Sequence, residues 1–281
     1  MFKHLPDYLL VFIFGVFFTS LSGAAALERG MLYSGLYDDH KGFIKIISGG
    51  NGRPFVKGVK QNHKAYACFR NYAYRYFPIK GYEQELGELR PHWLKVLVIR
   101  EELNSGTLQD GSWLIWLDDD LFIRDFEGPT SIFEKYIQTF SNLDTVLIAT
   151  GDCDPFIMLN SGILIFKVGD RSREMVEEWW DSRPRQGNCH HDDQSRLIDL
   201  IQSGYEPYVA VVPQRLDNLS LNTFLLFFPS GGEDNDCYAQ KGDFAMQPAG
   251  ATEEDKEHIL KQLLNQIYYF KIQYFQSACN L

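Results

Sequence analysis

Three consecutive carboxylates, Asp118, Asp119 and Asp120, end the run WLIWLDDD and are the residues of this chain best suited to chemistry. The five large apolar residues before them, Trp113 to Leu117, predict a strand buried on both faces of a parallel sheet. The acids would then lie at the carboxyl end of that strand, where open α/β sheets bind their ligands. Alternation along a strand directs Asp118 and Asp120 to one side and Asp119 to the other.

Asp118 and Asp120 on one side of a strand repel each other unless a cation or hydrogen-bond donors compensate their charge. A divalent metal is the simplest compensation, and ligands that are all oxygen suit the hard ions Mn²⁺ and Mg²⁺. Such an ion could in turn hold a diphosphate. Acidic triplets after a strand also occur as solvated turns or as caps of a following helix, so this alternative stays open.

Composition sets limits on the fold and on the partners. The 281 residues are 45% hydrophobic and 15% aromatic, which is enough for one sizeable α/β core. The net charge of −10 argues against a nucleic-acid partner, which would require a basic face.

The cysteines permit a disulfide in an oxidising compartment, but their odd number leaves at least one unpaired within the chain. No C-x-x-C pair occurs, so a structural zinc site is not expected. The five are Cys68, Cys153, Cys189, Cys237 and Cys279.

Residues 1–27 are predicted to be a leader outside the folded domain. Ala24-Ala25-Ala26 offers a small-residue cleavage site after an apolar run, which is typical of a secretory signal peptide. No charged residue occurs from Tyr8 to Leu27, a stretch just long enough to span a bilayer at roughly 20 residues, so an uncleaved signal anchor is the alternative. Either form carries the remaining chain across a membrane. Residues 28–42 then form a short stem, and residues 43–281 form the folded domain.

The pattern after the leader alternates strands with helices, which predicts an α/β fold with a mainly parallel sheet. Besides the acidic strand, the predicted strands are Phe43 to Ser48, Val146 to Thr150, Leu159 to Lys167 and Tyr208 to Val212. The predicted helices are Gln61 to Phe77, Pro91 to Leu103, Ile132 to Phe140, Arg173 to Trp180, one capped by Asp192 or Asp193 and ending near Ser203, and one beginning at Thr252.

Seven segments in this order resemble glycosyltransferase family 34, and the resemblance covers most of the chain after residue 43. They are NHKAYA (62–67), PHWLKV (91–96), WLIWLDDDLFI (113–123), LNSGILIFK (159–167), HDDQS (191–195), VPQRLDN (212–218) and GDF with PAG (242–250). The family includes fungal α-1,2-galactosyltransferases, α-1,6-mannosyltransferase complex subunits and plant xyloglucan xylosyltransferases.

The resemblance implies a GT-A fold and a retaining transfer of a hexose or pentose from a nucleotide sugar to a glycan acceptor. UDP-galactose is the first candidate donor, and UDP-xylose and GDP-mannose also occur in the family. Mn²⁺, or Mg²⁺, is the implied cofactor. The implied location is the secretory pathway, either as a single-pass type II Golgi membrane protein or, after cleavage of the leader, as a lumenal or exported protein.

The resemblance also implies roles for single residues. The metal-binding acids of the family correspond to Asp118 and Asp120. Asn160, Ser161 and Gly162 correspond to a segment near the donor sugar, where Gly162 would let the backbone approach the ligand. A turn at the start of a strand is the alternative explanation of this segment.

Asp192, Asp193 and Gln194 correspond to a segment beside the sugar, where they would face the anomeric carbon or the sugar hydroxyls. The alternatives are a helix cap, which favours Asp at this place, and a transition-metal site with His190 and His191. Lys95 corresponds to the lysine of a W-x-K pattern and would contact donor or acceptor. An exposed helical lysine is its alternative.

The chain departs from the family at two places. Gln247 stands where the family usually has a histidine that binds the metal, and an amide oxygen is a weaker ligand for a hard cation. Ala251-Thr252 stands where plant members have a basic residue, and Lys256, one helical turn later, is the candidate to substitute for it.

These departures favour a second function, an inactive or weakly active subunit that supports a glycosyltransferase complex. A phosphatase of the haloacid-dehalogenase type also places Asp-x-Asp after an apolar strand. It requires Thr or Val at the position of Phe122, so this class is excluded.

Overall fold

The computed structural model describes residues 44–51, 53, 56–124, 126, 130–152, 157–184, 192–213, 215–216, 219–220, 223–224, 244–248 and 252–267. The predicted leader and stem, His190, His191, Ala251 and every cysteine except Cys68 lie outside these ranges, so the predictions made for the leader and for the domain boundaries stay predictions. Within the described part of the chain, no helix has both the length and the apolar character needed to cross a membrane.

A six-stranded sheet forms the centre of the fold, with strand order β2-β1-β3-β6-β5-β7. Its strands are β1 (Ile44–Gly50), β2 (Ala73–Pro78), β3 (Trp113–Asp118), β5 (Leu147–Thr150), β6 (Asn160–Lys167) and β7 (Val209–Val212). The short strands outside it are β4 (Phe122–Ile123), β8 (Arg215–Leu216), β9 (Leu219–Ser220), β10 (Thr223–Phe224) and β11 (Ala245–Gln247). The α-helices are α1 (Val56–Phe69), α2 (Glu83–Leu86), α3 (Trp93–Asn104), α4 (Ile132–Phe140), α5 (Asp170–Asp181), α6 (Asp193–Leu200) and α7 (Glu253–Ile267). A π-helical segment (Ile201–Tyr205) and a 3₁₀ turn (Glu206–Tyr208) follow α6.

All neighbouring strands of the central sheet are parallel except those that flank β6, which runs antiparallel to β3 and to β5. Residues 151–159, which join β5 to β6, are too few for the crossover of a dozen or more residues that a parallel pair needs. The reversed β6 therefore begins at the edge of the sheet where β3 and β5 end. The predicted α/β class with a mainly parallel sheet is confirmed.

Helices cover both faces of the sheet, which explains the continuous apolar run in β3. Leu114 and Trp116 pack on one face, in a core cluster that includes α3 and α5. Ile115 and Leu117 pack on the other face, in a cluster that includes residues of α1 and α4.

The predicted helix from Gln61 to Phe77 is wrong over its second half. Helix α1 ends at Phe69, and the chain then enters β2, which pairs in parallel with β1. Asn71 adopts a positive φ of 57°, a left-handed conformation that ends helices and that Asn tolerates better than most residues. The aromatic residues after it also alternate at strand spacing. Their pairing with β1 stabilises a strand, although their spacing suits a helix as well.

Candidate active site

The carboxylates of Asp118 and Asp120 converge on one point beyond the end of β3. Asp118 Oδ2 lies 3.0 Å and Asp120 Oδ1 lies 2.8 Å from the same atom, Nε2 of Gln247. Asp119 extends the other way, and its Oδ1 lies 2.9 Å from a guanidinium nitrogen of Arg53. The alternation predicted from the sequence therefore holds, and the structure brings the three predicted metal-binding residues together.

The second oxygen of each converging carboxylate contacts a lysine. Lys95 Nζ lies 3.0 Å from Asp118 Oδ1, and Lys256 Nζ lies 2.7 Å from Asp120 Oδ2. Trp116 also donates to Asp118 Oδ1, at 2.7 Å. Burial alone would raise the pKa of Asp118, but the Lys95 ammonium and the Trp116 N–H outweigh it and hold that pKa below its ordinary value.

Asp119 occupies space that only a glycine at position 50 leaves open, since a Cβ on Gly50 would overlap the Asp119 carboxylate. Burial, followed by repulsion from Asp120, raises the pKa of Asp119 to about 7, against the opposing effect of Arg53. Gly50 at the end of β1 is thus explained by a neighbouring side chain. No pattern in the sequence predicts this contact, nor Arg53 as the partner of Asp119.

Lys95 is buried in helix α3, so the alternative of an exposed helical lysine is wrong. Its ammonium contacts Asp118, Asp193 Oδ2 at 3.3 Å, and both the backbone oxygen and the hydroxyl of Ser161, at 3.0 and 2.9 Å. An ammonium has three N–H groups, and acceptors of the protein surround all of them. Lys95 therefore links the end of β3, the start of β6 and the start of α6.

The acids at the start of α6 have separate surroundings. Asp192 caps the helix, because its carboxylate accepts hydrogen bonds from the backbone N–H and the hydroxyl of Ser195, both at 3.0 Å. Asp193 is buried and faces Lys95. Trp179 donates to the backbone oxygen of Asp193 at 2.9 Å and fixes this turn of the helix.

The start of β6 contacts α6 and the end of β5. Ser161 N donates to Gln194 Oε1 at 2.9 Å. Asn160 accepts from the backbone N–H of Gly162 at 2.8 Å and donates to Asp152 Oδ2 at 3.1 Å. Asp152 is not among the residues predicted for the site, although it lies just past a buried strand, separated from β5 only by Gly151, as the acidic triplet lies at the end of β3.

Gly162 makes room for Gln247, because a Cβ on Gly162 would overlap the amide oxygen of Gln247. In the structure the side chain of Gln247 takes this space. That Gly162 lets the backbone approach a ligand stays a prediction. The absence of a side chain at position 162 lets Gln247 reach the two carboxylates.

The site fits a hard divalent cation. Two carboxylate oxygens lie within 3.0 Å of one common atom, so both could contact a single ion. That common atom is the amide nitrogen of Gln247, and rotation of the carboxamide by half a turn would instead turn its oxygen toward the carboxylates and an ion held by them. Among the described residues, no group of three or more His, Cys, Asp and Glu side chains could hold a metal. Gln247 is the third side chain at this point, beside the two carboxylates.

The sequence of residues 45–258 matches the model of the galactosyl transferase GMA12/MNN10 family. Over 227 residues the chain is 23% identical to the probable α-1,6-mannosyltransferase MNN10 of Saccharomyces cerevisiae (strain ATCC 204508 / S288c), covering 69% of this chain and 55% of that protein. The chain thus spans about half the length of this relative.

Two solved structures align with most of this chain. A glycosyltransferase involved in the glycosylation of the major capsid of PBCV-1 superposes with a TM-score of 0.58 at 13% identity, over 78% of this chain and 99% of that one. The galactosyltransferase LgtC, in complex with donor and acceptor sugar analogs, gives a TM-score of 0.44 at 11% identity, over 79% and 96%. The first of these likenesses agrees with the predicted GT-A fold. Because the family match extends over most of the sequence, the chain belongs to the galactosyl transferase GMA12/MNN10 family of glycosyltransferases.

Proposed function

We propose that this protein is a retaining glycosyltransferase that moves a hexose or pentose from a nucleoside-diphosphate sugar to a glycan acceptor, with Mn²⁺ or Mg²⁺ bound at Asp118, Asp120 and Gln247. The convergence of the two carboxylates at the carboxyl end of β3 carries this proposal. UDP-galactose is the first donor to test. A mannose donor is the second, because the relative MNN10 is named a mannosyltransferase.

The divalent cation, when bound, would neutralise the charge of the departing nucleoside diphosphate. Lys256 lies beside Asp120, and its ammonium could turn from this carboxylate to an oxygen of the bound diphosphate. Lys256 would then take the role of the basic residue found in plant members. Its place is set by the start of α7, where Thr252 Oγ1 accepts from the backbone N–H of Asp255 at 3.2 Å.

The sugar would lie near the start of β6, where Asn160 and Ser161 offer polar groups to its hydroxyls. Asp193 would stabilise positive charge that develops at the anomeric carbon, and Gln194 would contact the sugar from the same turn of α6. Lys95 would act on the donor through the two carboxylates that it holds, Asp118 and Asp193. Asp192 would contribute by capping the helix that carries the other two.

Two observations support a place in the secretory pathway. The sequence of residues 1–27 has the features of a signal peptide or signal anchor. Cys68 is disulfide-bonded, and disulfides persist mainly in proteins that have crossed a membrane into an oxidising compartment. We propose a lumenal orientation of the folded domain, on a Golgi membrane if the leader is retained.

The second candidate function is a weakly active subunit that supports a glycosyltransferase complex. It is favoured by the hydrogen bonds of Gln247, whose amide nitrogen already bridges the two carboxylates at the point where a cation would bind. In this function the domain would keep its fold and surface while holding metal poorly.

Donor hydrolysis by the full chain, purified in detergent, distinguishes the two functions. The measurement is release of nucleoside diphosphate from UDP-galactose, UDP-xylose and GDP-mannose, with and without Mn²⁺. A transferase hydrolyses one donor when Mn²⁺ is present, and Asp118→Asn and Asp120→Asn abolish the activity without unfolding the protein. If no donor is hydrolysed and calorimetry detects no Mn²⁺-dependent nucleotide binding, the supporting function is correct.

A further inference from the structure

Strand β4 follows the acidic triplet directly and connects it to the other groups of the site. One edge of β4 pairs with β11 in antiparallel fashion, Phe122 with Met246 and Ile123 with Ala245. Gln247, the next residue of β11, is thereby carried beside Asp120. The position of β4 therefore affects the distance between the Asp120 carboxylate and the Gln247 carboxamide.

The side chain of Phe122 extends this connection to two helices. It is fully buried and packs in a cluster with Val56 and Val59 of α1, Met246 of β11 and Leu260 of α7. Because α7 also carries Lys256, a shift of β4 would move both groups that contact Asp120.

The other edge of β4 is closed by a side chain instead of a strand. Asn62 Nδ2 donates to the backbone oxygen of Ile123 at 2.8 Å, and the backbone N–H of Ile123 donates to Asn62 Oδ1 at 2.8 Å. A single carboxamide thus makes both hydrogen bonds that a neighbouring antiparallel strand would make to that residue.

His63, the next residue of α1, holds the preceding part of the same segment. Its Nε2 lies 2.7 Å from the backbone oxygen of Leu121, and since a carbonyl only accepts, Nε2 carries the proton. Burial lowers the pKa of His63 to about 4, so the ring is neutral at pH 7. Both Asn62 and His63 are completely buried, and both hold the backbone just after Asp120.

We propose that Asn62 and His63 are positioning residues for the metal site, which fix the backbone of Leu121 and Ile123 and thereby set Asp120 against Gln247. This inference rests on the proposed binding of a divalent cation at Asp118 and Asp120. Groups that orient metal ligands from behind typically change metal affinity by about 10- to 100-fold when they are replaced.

The test compares variants of similar bulk in the full chain. Asn62→Leu and His63→Leu remove the hydrogen bonds to β4 and to Leu121. His63→Gln keeps a donor at the same reach. Tyr66→Phe is the matched control, because it removes a buried hydrogen bond on the next turn of α1, from the Tyr66 hydroxyl to Ser131 Oγ at 2.9 Å, away from β4.

Two quantities are measured for each variant. The first is Mn²⁺ affinity in the presence of UDP or GDP, from the electron paramagnetic resonance signal of free Mn²⁺. The second is the melting temperature without metal and nucleotide. We expect both leucine variants to bind Mn²⁺ about tenfold or more weakly, and His63→Gln to regain most of this loss. Tyr66→Phe should lower the melting temperature and leave Mn²⁺ affinity unchanged.

Folded leucine variants with the affinity of the wild type would overturn the inference, as would an equal loss of affinity in Tyr66→Phe. If a leucine variant fails to fold, Asn62→Ser, which is too short to reach both Ile123 groups, is judged by the same criterion. Absence of Mn²⁺ binding by the wild type contradicts the proposed function itself and removes the inference with it, so the two failures are distinguishable.

Discussion

Gly162 and Gln247 share one space, because a side chain at position 162 would overlap the amide oxygen of Gln247. The carboxamide is thereby directed so that its nitrogen bridges Asp118 and Asp120. The two positions are coupled, and a substitution at either one should alter the hydrogen bonds that Asp118 and Asp120 accept from Gln247.

We expect Gly162→Ala to displace Gln247 and to destabilise the protein by about 1–3 kcal/mol, the usual cost of overpacking a filled site. Mn²⁺-dependent donor hydrolysis should fall with it. Thermal unfolding and hydrolysis measure the two effects. Shortening the partner in Gly162→Ala/Gln247→Ser should restore part of the melting temperature, because the close contact of the new methyl with Asn160 Oδ1 remains. If the double variant is no more stable than Gly162→Ala, the overlap does not cause the loss.

Replacement of Gln247 by His should lower the Mn²⁺ concentration that gives half-maximal activity, because imidazole bonds the ion more strongly than a neutral amide oxygen. The measurement is activity against Mn²⁺ concentration, with Gln247→Ala as the control. Lack of a gain in Gln247→His, together with wild-type behaviour of Gln247→Ala, would place residue 247 outside the metal shell.

Asp192 and Asp193 should respond differently to replacement, although they are adjacent. Asp192→Ala removes a helix cap and should cost about 1 kcal/mol of unfolding free energy with little loss of turnover. Asp193→Asn should lower kcat far more than nucleotide affinity, since its proposed contact strengthens in the transition state. Steady-state kinetics and thermal unfolding of both variants test this. The reverse pattern, with turnover lost in Asp192→Ala alone, would contradict the assignment.

Lys256→Met should raise the donor KM about tenfold, because it removes the cation beside Asp120 that we assign to the diphosphate. The matched control is Lys261→Met on the same helix, where Lys261 is exposed and pairs with Glu257. Calorimetric titration with UDP or GDP in the presence of Mn²⁺ gives the affinity directly. Equal affinities for the two variants would show that Lys256 only neutralises Asp120.

Five of the six strands of the central sheet, all except β2, could be predicted because each is a short apolar run between turn residues. The acidic triplet could be located for the same reason, because residues that directly follow such a run lie at the carboxyl end of a strand. The same logic failed at Tyr74 and Tyr76, where aromatic spacing suited both a helix and a strand. Pairing with β1, which no local pattern reports, decided between the two.

The parts of the site that the sequence did not reveal all depend on contacts between distant segments. Lys95 was predicted from a motif, but its burial between Asp118 and Asp193 follows from the packing of α3 against the sheet edge. The two-residue strand β4 carries no periodicity that could identify it. Its pairing with Asn62 is visible only when α1 lies beside it.

The contact of Asp120 with Lys256 joins residues that are 136 positions apart, and that with Gln247 spans 127 positions. During synthesis Asp120 is therefore made long before Gln247 and Lys256, the two groups that contact its carboxylate. Closure of so long a loop is slower than the formation of local structure. These contacts should therefore form late in folding, after β1, β2 and β3 have paired. The ability to bind donor would then arise only once the chain is almost complete, and a chain that ends before residue 245 would carry the acidic triplet with neither Gln247 nor Lys256 beside it.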